Sequence, residues 1–478
     1  VMAGKSNISR VAMKAMGIFG GVQMASIVCS IVRTKLVALW IGPVGVGLFG
    51  LFNQALDTIN TAANLGTRQS SVRDISQAVE RGDTRLIAKI VAVVRRWSLW
   101  LGLGGATLTM ALAPVLSRCT FGDERHVWGF VALAAAVLLM TVANGEYAVF
   151  QGLARLKRLA SATLWGTVAG LVISIPLFYY LREKSIVPSI VAYAAGCAFF
   201  ALVMRDRRHP APSITPRETV ALGKGFVKLG IFMTLGNFVT MLAAYVFNAW
   251  LNTHAGTHEV GLYQAGYTLV YKYTGLVLTA LGMEYYPRLA RVASSKMRLR
   301  AFVSQEINIA MIVMAPIATL FILLRGPVVW LLYAPEFSPI VTFASWIMIG
   351  TIFRAVSWSI AFVTLAKGAG KVYLATESID AVTGLVLNIV FYRQWGLTGL
   401  GLSFVVWYVL YTILVWVVYR RVFHLTLTGK CLYNVVWALV ASLAVLLAME
   451  HGLVAVAAGL TAATVTAGVF MAKKALRL

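Results

Sequence analysis

The chain has 478 residues, of which 59% are hydrophobic and only 12% charged, with a net charge of +25 and a mean hydropathy of +0.80. A water-soluble domain carries about 25% charged residues, and no polar stretch here is long enough to fold as a separate soluble domain. Apolar runs of this length can satisfy their backbone in lipid only as helices, being far too long for barrel strands, so the expected fold is all-α integral membrane with about 14 transmembrane helices.

Taken in chain order, the first six apolar runs are Val11–Trp40, Gly47–Thr67, Trp97–Leu116, Val127–Leu153, Leu159–Leu181 and Ile186–Met204. A polar, proline-containing segment from Arg205 to Lys224 follows and reads as a linker. Six more runs come next, Phe226–Leu251, Val260–Met283, Phe302–Leu324, Val341–Ala366, Tyr373–Gln394 and Leu397–Tyr419, and then Leu432–Met449 and Leu453–Met471. The expected organisation is a first lobe at 1–205, a cytoplasmic linker at 206–224, a second lobe at 225–421 and a C-terminal helix pair at 427–473. The basic lead of Lys5, Arg10 and Lys14 precedes a run too long and too charged for a signal peptide, so that run is expected to stay as the first helix.

With the N-terminus inside, 32 of the 42 Lys and Arg residues fall in inner segments and six in outer loops. By the positive-inside rule both termini are then cytoplasmic. The basic residues flank apolar helices instead of forming a basic face with stacking aromatics, which excludes a nucleic-acid partner. Cys29, Cys119, Cys197 and Cys431 form no paired motif and are expected to be free thiols.

An internal repeat organises the chain, and one constant offset relates its two copies. VGLF at Val46–Phe49 recurs as VGLY at Val260–Tyr263. GLV at Gly170–Val172 recurs at Gly384–Val386 in the same register, and Lys157 matches Lys371. Pro114-Val115 matches Pro327-Val328 one position short of that register. Each repeat holds six helices, an even number, so the two lobes are expected to be parallel, with substrate between lobes that rock.

Four intramembrane cations remain: Arg33, Lys35, Lys272 and Arg354. Arg33 and Lys35 are two apart, on nearly opposite helix faces, so at most one points inward, and Lys35 can snorkel to the outer interface. Lys272 shares a helical face with Thr268 and Thr279. Cations aimed inward imply an anionic ligand, guanidinium being matched to phosphate, and pairing with Asp57, Glu146 or Glu284 is the alternative. On the second run Asn53, Asp57, Asn60 and Asn64 follow i, i+4, i+7, i+11 and share one narrow face, which must meet a cavity or serve as interhelical glue. At the repeat offset stand Tyr267, Tyr271 and Thr274, whose aromatic faces and hydroxyl tips suit sugar rings as well as ordinary packing. Glu377, Asp380 and Asn388 share a face of the eleventh run; with Asp57, the two carboxylates could bind a coupling proton or sodium ion, or form a solvated cluster beside Lys371. No metal site or enzymatic signature is present in the sequence, and no cofactor is expected.

The segment RTKLVALWIGPVGVGLFGLFNQALDTINTAANLGT, with VGLYQAGYTLV and LLYAPEFSP further on, resembles the Wzx-type polysaccharide flippases of the multidrug/oligosaccharidyl-lipid/polysaccharide exporter superfamily. The resemblance spans nearly the whole chain. It implies flipping of an undecaprenyl-diphosphate-linked oligosaccharide, such as an O-antigen unit, from the cytoplasmic to the periplasmic leaflet of a bacterial inner membrane. It also implies a cationic cavity lined by the first, second, seventh and eighth helices, on which Arg33, Asp57 and Lys272 fall, and partners among membrane lipids and polysaccharide-assembly proteins. A cation-coupled drug exporter on the same fold would want an acidic cavity, which the intramembrane cations oppose. A membrane polysaccharide polymerase or ligase would need a large outer catalytic loop, and the outer loops here are short.

Overall fold

The computed structural model describes residues 22, 25–64, 67–205 and 215–476; the basic lead with Lys5, Arg10 and Lys14 and residues 206–214 of the linker lie outside them. The described residues are almost wholly helical and contain no strand. They divide into two compact units, residues 1–261 and 262–478.

In the first unit, α1 covers 25–40, and α2 (Gly42–Asn64), α3 (Thr67–Glu80), α4 (Thr84–Ala111), α5 (Ala113–Phe121), α6 (Val127–Gly152), α7 (Leu156–Leu181), α8 (Ile186–Val203) and α9 (Pro216–Ala255) follow. Helix α6 is the centre, touching α2, α3, α4, α5, α7 and α8, while α9 packs on α2, α3, α4 and α5. The third apolar run is not one straight helix. It breaks at Leu112 with a 65° bend between α4 and α5, because Pro114 opens α5 and proline lacks the N–H that a continuing helix needs. Between the second and third runs the basic inner segment is not a loop but the helix α3, whose Ile75 is fully buried against Gly152. Asp83 then starts α4 by accepting the Leu86 N–H at 2.9 Å, well before the apolar run begins.

Helix α9 likewise starts well ahead of its apolar run. Thr215 and Glu218 form a reciprocal capping box with Pro216 at the first turn, the arrangement that best initiates a helix. The hydrogen bonds from the Thr215 backbone and hydroxyl hold the exposed Glu218 carboxyl below its ordinary value.

The helix α10 (Thr257–Tyr267) crosses from the first unit into the second, runs through a π-turn at Thr268–Lys272 and continues as α11 (Tyr273–Val292). Then come α12 (Lys296–Leu323), α13 (Arg325–Leu332), α14 (Ile340–Ala366), α15 (Gly370–Arg421), α16 (Gly429–Glu450) and α17 (Val454–Leu476). Helix α15 is two limbs joined by non-helical backbone at Trp395 and Gly396. Helix α14 lies along α15, and α16 and α17 pack on α12 and on each other. Asn434 donates to Asn308 at 2.8 Å and Arg325 pairs with Glu450 at 2.6 Å, which pins the last helices to α12 and α13.

Among the described residues, seven helical stretches are long and apolar enough to cross a membrane, or eight with the bent α4–α5 pair. Two of the seven hold 48 and 52 residues, roughly 70–80 Å at 1.5 Å per residue against a hydrocarbon core of about 30 Å. Each of these is broken near its middle. Local packing is alike at two pairs of positions that share the sequence offset. A Cβ at Gly170 would press on Tyr193 and one at Gly384 on Trp407, and both members of the first pair are related to the second pair by the repeat offset. Pro114 and Pro327 each open a short helix, α5 and α13, after a long one.

Candidate functional site

Two polar clusters within the apolar helices stand out, one in each compact unit. In the first, Arg33 of α1 has its guanidinium between two rings, 4.9 Å from the Phe49 centroid and 4.8 Å from the Tyr193 centroid. A cation over an aromatic face is worth about 0.5–2 kcal/mol per contact, so the rings hold the charge in place without neutralising it. The alternative pairing of Arg33 with Glu146 is not realised. Glu146 is buried and takes Arg95 through both oxygens, at 2.7 and 3.0 Å, with Arg205 at 3.3 Å. That pair joins α4 to α6 near the basic end of the unit.

The polar face of α2 is divided by its neighbours. Asn60 is buried and accepts the Thr141 hydroxyl at 3.0 Å, which ties α2 to α6 as interhelical glue does. Asn53 donates to the Phe49 carbonyl at 2.7 Å and Asn64 to the Asn60 carbonyl at 2.7 Å, each one turn back along its own helix. Asp57 is exposed, and Lys35 is half-buried. A shared helical face therefore does not give these four side chains a shared environment.

The second cluster is built around the π-turn. Tyr267 and Tyr271 stack at 4.6 Å with planes 16° apart, and Phe404 meets both edge-on at 6.3 and 6.0 Å. A π-turn lengthens the hydrogen-bonded loop by one residue, leaving carbonyl groups in need of donors. Arg354 of α14 supplies one: its Nη1 donates to the Tyr271 carbonyl at 2.9 Å and lies 3.4 Å from the Thr274 hydroxyl. Its guanidinium carbon sits 3.5 Å from the Tyr271 ring centroid. Arg354 thus holds the π-turn, a structural task that its sequence position did not reveal. Lys272 ends that turn, and its side chain, like that of Glu284, lies outside the described residues.

The two acidic residues of α15 are held by aromatic donors of the same helix's second limb. Trp407 Nε1 donates to Asp380 at 2.7 Å, and the Tyr411 hydroxyl donates to Glu377 at 2.6 Å. Asn388 accepts from Ser403 at 2.6 Å. Asp380 is buried and Glu377 half-buried, whereas Lys371 is exposed, so in place of a solvated cluster beside Lys371 the two acids form a hydrogen-bonded row with aromatic donors. Tyr408 packs on Phe404 at 4.7 Å and on Trp407 at 5.2 Å, joining the acidic row to the tyrosine stack. Phe404, Trp407, Tyr408 and Tyr411 went unnoticed in the sequence because aromatic residues in an apolar helix carry no signal of their own. Their spacing against the first limb was the available clue.

All four cysteines are free. A profile of the family described as "Polysaccharide biosynthesis protein" matches residues 83–342. The Lipid III flippase of Escherichia coli (strain K12) is 22% identical over 402 residues, covering 79% of this chain and 90% of that protein. An inward-facing multidrug resistance MATE family transporter of the MOP superfamily superposes with a TM-score of 0.71 at 15% identity, over 86% of this chain and 98% of that one. The lipid II flippase MurJ in an inward closed conformation superposes with a TM-score of 0.69 at 10% identity, over 96% and 99%. These likenesses, with the apolar helices, make the chain a multi-pass membrane protein with the fold of those transporters.

Proposed function

The chain belongs to the polysaccharide biosynthesis protein family, and on that premise we propose that it is a carrier, not an enzyme, flipping an undecaprenyl-diphosphate-linked oligosaccharide from the cytoplasmic to the periplasmic leaflet of a bacterial inner membrane. The observation that carries this reading is Arg33, a guanidinium clamped between Phe49 and Tyr193 inside an apolar helix bundle. A diphosphate headgroup cannot enter hydrocarbon unaided, and a ring-held guanidinium offers it a charge-assisted, bidentate partner. The E. coli relative is named for flipping lipid III, which supports a lipid-linked cargo of the same chemical kind.

In this reading Lys35, Asp57, Lys272 and the amide of Asn53 extend the headgroup path, with sugar rings resting on aromatic faces. Glu377 and Asp380 would take a coupling proton or sodium ion whose binding favours one conformation over another. Residues 1–205 and 225–421 are two six-helix repeats, the segment 206–224 is their linker, residues 427–473 form an added helix pair, and both termini are cytoplasmic. A second reading, export of a cationic drug, draws on Asp380 lying next to Trp407 among aromatic rings. Arg354, stacked on Tyr271 of the tyrosine pair, puts a fixed positive charge among those aromatics and opposes it.

The test is translocation in proteoliposomes, using a polyprenyl-diphosphate oligosaccharide and a cationic dye as competing cargoes. The wild type should accelerate glycan movement and Arg33→Ala should not. Export of the dye alone would establish the second reading in its place.

A further inference from the structure

Arg354 stands near the middle of α14 and is the one charged residue of that helix, roughly 20 Å from either end at 1.5 Å per residue. A phospholipid headgroup does not reach that depth, and a guanidinium held there needs an anion or a polar cavity. Two other shielded arginines have their anion: Arg95 pairs with Glu146 and Arg325 with Glu450. Among the described residues no ion pair includes Arg354, and the buried Asp380 takes the Trp407 N–H instead.

The guanidinium is engaged on one nitrogen and one face. Nη1 donates to the Tyr271 carbonyl at 2.9 Å and lies 3.4 Å from Thr274 Oγ1, while the Tyr271 ring covers a face at 3.5 Å. The Thr274 hydroxyl spends its own proton on the Val270 carbonyl at 2.6 Å, so it offers no donor to an anion. The edge formed by Nε and Nη2 remains. Beside Nη2 stands Gly275, where a Cβ would come within 3.2 Å, so no side chain crowds that edge from this position. Two parallel N–H groups in one plane match the two oxygens of a carboxylate. A diphosphate spreads its oxygens over two tetrahedra and calls for donors outside that plane, where Arg354 meets a ring face on one side.

We propose that Arg354 is a subsite for a sugar carboxylate, so that the cargo is an acidic glycan carrying a uronic acid or a similarly carboxylated sugar besides its diphosphate. This assignment rests on the carrier reading above, with the diphosphate given to Arg33. Tyr267 and Tyr271, stacked on each other and half-buried, put hydroxyl-tipped rings beside the guanidinium, a setting that suits a sugar. A uronic acid is ionised at neutral pH, and its carboxylate projects from the edge of the ring. A neutral sugar in the same place would leave the guanidinium edge without an acceptor, which is the costly half of an unmade hydrogen bond. The subsite therefore selects by charge.

Three polyprenyl-diphosphate oligosaccharides test it, alike except at one sugar: glucuronic acid, its uncharged amide, and glucose. In proteoliposomes below saturation the wild type should move the acid at least about fivefold faster than the other two, and equal rates overturn the subsite. Arg354→Gln should bring the acid-to-amide ratio to about one, and Arg354→Lys should keep part of it, whatever either does to the overall rate. An unchanged ratio in Arg354→Gln also overturns it. Calorimetry with the lipid-free oligosaccharides reads the site without transport: the solubilised wild type should bind the acid at least about fivefold tighter than its amide, and equal affinities count against the subsite. Inorganic diphosphate separates the two sources of anion. Weaker binding of it by Arg354→Gln would give Arg354 to the headgroup and overturn the proposal, and equal binding supports it. Preference for the acid in a protein that moves none of the three cargoes upholds the subsite and removes the carrier reading, so the two fail separately.

Discussion

Tyr193 and Trp407 occupy equivalent positions in the two repeats, each pressed against its own glycine, Gly170 or Gly384, yet they meet opposite charges. Tyr193 turns its ring face to the Arg33 cation, whereas Trp407 turns its N–H edge to the Asp380 carboxylate. An aromatic ring is electron-rich on its face and positive at its edge, so one half-buried position can serve either sign according to which part of the ring is presented. The glycine–aromatic packing is alike at the two places, and the polar chemistry differs. The first repeat carries a held cation suited to a phosphate, and the second carries held carboxylates suited to a coupling ion.

The largest expected effect lies in the first repeat. Arg33→Ala should slow glycan translocation by about 100-fold, since it removes the anion's partner along with two ring contacts worth about 1–2 kcal/mol each. Arg33→Lys should cost about tenfold, because an ammonium keeps the charge and loses the fork. Translocation at wild-type rates by both variants, at normal membrane levels, would leave the first repeat without its assigned charge.

Next in size is the second repeat. Asp380→Asn and Glu377→Gln should leave translocation without a gradient nearly unchanged while removing most of its response to an imposed proton or sodium gradient, a loss of about tenfold if one ion is coupled. Wild-type gradient dependence in both, and in Asp57→Asn, would make all three carboxylates structural.

A sharper comparison exchanges the two rings for phenylalanine. Tyr193→Phe keeps the face that Arg33 needs and should stay within about twofold of wild type. Trp407→Phe keeps a ring but deletes the donor to a buried carboxylate, a bond worth about 1.5–3 kcal/mol, and should impair gradient response several-fold. Equal effects at the two positions would mean that face and edge do not carry the difference.

The smallest effect concerns the start of α9. The Glu218 carboxyl is held below its ordinary value by the Thr215 hydrogen bonds, so its contribution to α9 is present above the unfolded carboxylate range and fades as pH falls through the lowered folded value. Protection of the amides of Thr215 and residues 217–219, relative to the intrinsic exchange rate at each pH, should fall on acidification, and Glu218→Gln should remove that dependence. Identical acid profiles in the two proteins would show that the capping box does not govern this turn.

The helical membrane class was legible from composition, because only helices bury so many apolar residues while pairing their own backbone. The glycines that share the sequence offset, Gly170 with Gly384 and Gly47 with Gly261, all lie at close helix contacts. Arg33 stood out because a guanidinium in hydrocarbon must have a reason, and the structure sets it between two rings. The stripe on α2 shows where periodicity stops. Asn53, Asp57, Asn60 and Asn64 share a face, but α6 covers Asn60 and leaves Asp57 exposed, a distinction that belongs to the neighbouring helix.

Sequence by itself thus determined the class, the presence of long apolar helices and which residues carry charge within them, all properties of local composition and spacing. Only the tertiary structure decided what each charge meets: rings around Arg33, a π-turn carbonyl for Arg354, a tryptophan edge for Asp380. Partners in these clusters lie on different helices, or on two limbs of one, far apart along the chain, and no periodicity along one helix specifies which face of another will be packed against it.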